Sequence, residues 1–77
     1  MTTGTDTLTL TKNDVEVVHI SPFGLWLFSD DSEFFVSFTD YPDLLNATVH
    51  QLNAVTVDSF GDFHWAELDV DIERDAL

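Results

Sequence analysis

Residues 25–38 read LWLFSDDSEFFVSF. Two apolar runs, 25–28 and 34–38, flank Ser29-Asp30-Asp31-Ser32-Glu33, and a short polar loop between two such runs predicts a β-hairpin. Side chains alternate along a strand, so Leu25 and Leu27 point one way while Trp26 and Phe28 point the other. In the second run Phe34, Val36 and Phe38 oppose Glu33, Phe35 and Ser37. Both faces of the hairpin are therefore apolar, and a sheet of that kind has to be covered on both sides.

Working outward, residues 15–20 (VEVVHI) carry the β-branched enrichment of another strand, closed by Ser21-Pro22-Phe23-Gly24. Residues 1–13 are rich in Thr and poor in large apolar side chains, which predicts a flexible lead-in to a single domain over 14–77. On the other side, Asp40-Tyr41-Pro42-Asp43 suggests a turn or the first turn of a helix, with Asp40 as a cap. Thr48 and Gln51 have the spacing of a capping box, and Leu44, Leu45, Val49 and Leu52 offer one apolar stripe. Residues 55–60 read as a fourth strand and 63–65 open a fifth. The expected fold is α+β: one small antiparallel sheet of about four to five strands, in the order strand, hairpin, helix, strands, with one short helix on one face.

From Glu67 the chain alternates strictly, with carboxylates at Glu67, Asp69, Asp71, Glu73 and Asp75 and with Leu68, Val70 and Ile72 between the first four. One straight strand would place Phe63 and Trp65 on the same face as Glu67 and Asp69. Large aromatics and a row of acids cannot share one buried face, so a bulge, bend or break is expected near Ala66. Beyond it the acids form a solvated ladder.

Composition sets the boundaries of function. Seventy-seven residues make one domain, and 44% apolar content with 13% aromatic residues is too hydrophobic for disorder. Fifteen acids against Lys12 and Arg74 give a net charge of −13. That field repels phosphate backbones and excludes direct binding of nucleic acid, but attracts basic proteins. No cysteine is present, which removes thiolate chemistry and fits a reducing compartment. The amino end lacks the basic start and apolar core of a secretory signal. The longest purely apolar run is four residues, so no membrane span is expected and a cytoplasmic protein is.

Catalytic signals are sparse. Same-face neighbours on a strand stand about 7 Å apart, whereas calcium or magnesium needs oxygens converging at about 2.1 to 2.5 Å from the ion; the ladder is not prearranged for a metal. No serine sits in G-x-S-x-G, and the chain has no phosphate loop and no H-E-x-x-H. No cofactor is expected. The cluster His64, Glu67, Asp69 and Asp71 keeps one enzymatic alternative in view, a small metal-dependent hydrolase.

From Val18 onward the chain sets Gly24 with Trp26, Glu33 with Phe35 and Phe38, Tyr41-Pro42, Ala47-Thr48 leading to Leu52, and Gly61 with Trp65 before Leu68-Asp69-Val70-Asp71. This order of residues resembles a small bacterial family known only as domain of unknown function 2442. Ala66 stands where members commonly have proline, so the bend there is less rigidly encoded. The resemblance implies a compact α+β domain. It also implies a genetic setting beside small basic proteins, an arrangement similar to a toxin and antitoxin pair.

Charge, aromatic content and resemblance together predict a non-catalytic, acidic, antitoxin-like interaction domain that binds and occludes a small basic protein. Trp26, Phe28 and Trp65 would anchor the partner, and Glu67, Asp69, Asp71 and Glu73 would steer it. Within binding, the alternative is a nucleic-acid mimic whose spaced carboxylates imitate phosphates and block a DNA-binding protein. Because one short helix can bury only one face of the hairpin, a homodimer or higher oligomer is also expected.

Overall fold

The computed structural model describes residues 14–77; the lead-in expected over 1–13 lies outside the described residues. Three strands, β1 (Glu16–Ser21), β2 (Gly24–Ser29) and β3 (Ser32–Ser37), form an antiparallel meander. The β2–β3 hairpin runs in continuous register from Gly24↔Ser37 to Ser29↔Ser32. Its loop is only Asp30-Asp31, both with positive φ (54° and 60°). Two left-handed residues in a two-residue loop match the right-handed twist of the strands they join, and Asp tolerates that conformation better than most side chains. The β1–β2 register shifts between Val17 and His19, leaving Val18 as an extra, exposed residue.

Pro42 then opens a 3-10 turn (Pro42–Leu44) whose preceding residue is Tyr41, with no side-chain cap; the cap expected from Asp40 is not used. The capping box is present: the Thr48 hydroxyl accepts from the Gln51 amide (3.0 Å), and the Gln51 side chain accepts from the Thr48 amide (2.9 Å). It starts a helix of five residues, α1 (Val49–Asn53). The expected stripe is corrected. Leu44 and Leu52 are buried, whereas Leu45 and Val49 are exposed, because Leu45 and Val49 fall outside the few residues of this segment that meet the core.

A second antiparallel meander follows, made of β4 (Thr56–Val57), β5 (Phe63–Trp65) and β6 (Val70–Ile72). The break expected near Ala66 is a 3-10 turn, Ala66–Leu68. It folds the acidic segment back on the aromatic one, pairing Phe63 with Ile72, His64 with Asp71 and Trp65 with Val70.

The expected single α+β sheet is thus corrected. The protein is mostly β, with two three-stranded sheets, six strands and one short helix among the described residues. The reason is coverage. Five helical residues cannot roof the inner face of the first sheet, and the second sheet supplies the missing apolar surface. Leu25, Leu27 and Val36 of the first sheet share one core with Val57, Phe63, Trp65, Val70 and Ile72 of the second, closed by Leu44, Leu52 and Val55 from the connection. The Trp65 indole N–H donates to the Leu52 carbonyl (3.0 Å), so the polar atom of this buried ring is satisfied. No described helix is long and apolar enough to cross a membrane.

Candidate functional site

The first sheet has a second face, pointing away from the core. Register places Glu16, Phe28 and Glu33 in one row across its three strands, and His19, Trp26 and Phe35 in the next. All six are exposed, the three aromatic residues at 37% to 38%, and the Trp26 and Phe35 ring centroids lie 5.2 Å apart. A Cβ at Gly24 would collide with the Val36 carbonyl oxygen and come within 3 Å of the Phe35 ring. Gly24 is therefore the residue that lets the Phe35 ring approach the backbone of the strand beside it. Beside Phe28, Asp14, Glu16, Asp30 and Asp31 line an open depression of about 320 Å³.

At the β2–β3 hairpin end of the first sheet Arg74 fastens the two sheets. Its guanidinium donates to the Gly61 carbonyl (2.8 Å) in the β4–β5 loop and to the buried Ser29 hydroxyl (2.8 Å) at the end of β2. It lies 4.8 Å from the centre of the Phe34 ring and 5.1 Å from that of Phe63, with Asp30 at 3.4 Å. Gly61, with φ of 87°, presents that carbonyl; a Cβ there would stand 3.0 Å from the guanidinium.

A third cluster lies on the outer face of the second sheet. His64 is held at both ring nitrogens, by Asp58 at 2.6 Å and Asp71 at 2.7 Å. Asp58 also caps the β4–β5 loop, accepting from the amides of Phe60 (2.8 Å) and Asp62 (3.0 Å). Two carboxylates accept two N–H bonds only from an imidazolium, so the site favours protonated His64. The hydrogen bond to Asp71, then that to Asp58, raises its pKa above the ordinary histidine value. Hydrogen bonding to His64 and then to the Asp62 amide holds Asp58 below the ordinary carboxylate range. Asp58 is the firmer arm, because its side chain is 33% exposed against 71% for Asp71.

The expected anchors and acids do not converge on one surface. Trp26 and Phe28 lie on the outer face of the first sheet, but Trp65 is 1% exposed, and its role as a partner contact is corrected: the β5–β6 hairpin turns it inward. The ladder is not one strand. Glu67 lies in the 3-10 turn, Asp69 ends that turn in the left-handed region (φ 55°), Asp71 faces His64 from β6, and Glu73 precedes the final 3-10 turn, Arg74–Ala76. Of the expected cluster around His64, only Asp71 reaches it; Glu67 and Asp69 make no bond to the ring. Among the described residues no group of three or more His, Cys, Asp or Glu side chains is arranged to hold a metal ion. The sequence pattern did not reveal Asp58 as a partner of His64, nor the row that sets Glu16 and Glu33 beside Phe28. Their signal was partly present, since D-S-F-G-D at 58–62 has the composition of a loop in which Asp bonds the amides ahead of it.

No curated protein and no solved structure matches the chain. A family model does, over residues 14–77, under the description "Protein of unknown function (DUF2442)". The match spans every described residue, and the chain belongs to this family, DUF2442.

Proposed function

We propose that this protein is a non-catalytic interaction domain that binds and occludes a small basic protein, as the antitoxin-like member of a pair. The observation that carries the reading is the outer face of the first sheet: three large aromatic side chains half in water, on a chain of net charge −13. Apolar rings supply desolvation at the centre of an interface, while like-signed charge speeds encounter with a partner of opposite sign. The resemblance to a family whose genes stand beside small basic proteins agrees with this assignment. Neither rival gains an observation of its own. The mimic needs evenly spaced carboxylates, and the hydrolase needs His64, Glu67 and Asp69 together.

Co-expression with the product of the adjacent gene tests the proposal. Copurification at moderate salt, with loss of the partner's activity in the complex, is the expected result. Separation of the two proteins at about 0.15 M salt, where exposed charges are screened beyond roughly 8 Å, would refute it.

A further inference from the structure

We infer that the outer face of the first sheet is a docking surface for arginine side chains, with guanidinium groups laid on the Trp26, Phe28 and Phe35 rings between the carboxylates of Glu16 and Glu33. This inference rests on the basic-partner reading and specifies both its surface and the chemistry recognised there.

Charge complementarity selects the occupant. Glu16 and Glu33 flank Phe28 on the neighbouring strands, which places their backbones about 10 Å apart at ordinary strand spacing. Neither forms an ion pair among the described residues, where Arg74 is the only lysine or arginine and is engaged at Asp30, Ser29 and Gly61. A second copy of the chain would set another Glu16 and Glu33, on a chain of net charge −13, against this rim, and a neutral apolar partner would strip water from both carboxylates without replacing it. A cationic segment satisfies rings and rim together.

Arginine fits better than lysine. A planar guanidinium stacks on an aromatic face and still presents N–H groups at its edge to carboxylates, whereas an ammonium is a compact, strongly hydrated point charge. The chain makes this contact once internally: the Arg74 guanidinium lies over Phe34 and Phe63 with Asp30 at its edge. The outer face repeats those ingredients, rings beside carboxylates, without the cation. Gly24 adds a constraint, because the Phe35 ring fills the place a Cβ there would take, beside the Trp26 ring.

The test is a titration of the 77-residue chain, followed by NMR, with three capped hexapeptides alternating glycine with arginine, lysine or citrulline. Citrulline keeps the planar shape and removes the charge. Trp26 and Trp65 provide a reporter and an internal control, since one indole lies on the proposed surface and the other in the core. The arginine peptide should shift the Trp26 indole and the amides of Phe28 and Phe35 while leaving the Trp65 indole in place. It should bind about two- to five-fold more tightly than the lysine peptide, because only the guanidinium stacks and bonds the carboxylates at once, and the citrulline peptide should not bind. Trp26→Ala, and separately Glu16→Gln with Glu33→Gln, should each weaken binding by about two- to five-fold, whereas Asp40→Asn with Asp43→Asn, which removes as much charge from the connection after β3, should not.

Equal affinity for lysine and arginine would overturn the specificity. Shifts confined to residues 67–73 would overturn the location while leaving a basic partner in place. A Trp26 indole already protected in the free protein, by a second copy or by residues 1–13, would overturn the occupant. Absence of binding by all three peptides at low salt would also overturn the inference, and copurification with the adjacent gene product would still decide the basic-partner reading separately.

Discussion

Three aspartates, Asp30, Asp31 and Asp69, occupy the left-handed region, where a side chain crowds the following carbonyl. For Asp69 this gives a physical meaning to an acid that the sequence presents as part of a ladder: it turns the chain out of a 3-10 turn and into β6. Replacing Asp31 with glycine removes the strain in the hairpin loop but adds freedom to the unfolded chain. The first effect should prevail, since Asp-Gly is a preferred two-residue loop, and D31G should gain up to about 1 kcal/mol in urea denaturation. Arg74 predicts the reverse. Lysine keeps the charge of Arg74 but cannot reach Gly61, Ser29 and Asp30 from one planar group. R74K should cost about 1.5 to 3 kcal/mol in the same measurement, as expected for lost hydrogen bonds of a charged donor.

The second sheet is made of strands of two or three residues, too short to hold register through backbone bonding alone. Its inner face is pinned by Phe63, Trp65, Val70 and Ile72, and its outer face by the Asp58–His64–Asp71 clasp. Because His64 has a raised pKa when folded, its contribution to stability is fully present below about 6.5, the unfolded value, and is lost as pH rises through the folded value above it. Asp58, with a lowered pKa, contributes above about 3.9 and loses that contribution as pH falls through its folded value. The clasp is thus complete between these limits. Thermal unfolding should give a higher midpoint at pH 6 than at pH 8.5, and H64Q should flatten that difference. An equal slope in wild type and H64Q would place the pH dependence elsewhere.

For the whole molecule, salt should act with opposite sign on two kinds of association. Binding of a basic partner should weaken as salt screens the −13 charge, by about tenfold or more between 50 and 300 mM. Any pairing of two copies through the same aromatic face should strengthen, because screening relieves repulsion between like-charged chains. Light scattering at both salt concentrations, alone and with the basic partner, separates the two signs. A complex with the basic partner that is indifferent to salt would show that the aromatic face acts without the charge around it.

Local patterns alone determined the hairpin over 25–38, the capping box at Thr48 and Gln51, the break near Ala66 and the two-sided apolar character of β2. Each is encoded by side-chain alternation or turn chemistry within a few neighbouring residues, so sequence is sufficient. The family motif was legible too, and tertiary structure explains its parts: Gly24 makes room for Phe35, Trp65 fills the core, and Asp69 turns the chain. Alternation fixes which residues share a face but not which face meets the core, nor whether later strands extend the first sheet or build another. Those choices depend on contacts between residues far apart in the chain. Packing alone decided that Trp65 is inside and Trp26 outside, that Asp58 and Asp71 meet at His64, and that Arg74 ties the carboxyl end to Ser29. A helix of five residues leaves the inner face of the first sheet short of apolar cover, and among the described residues the second sheet supplies it.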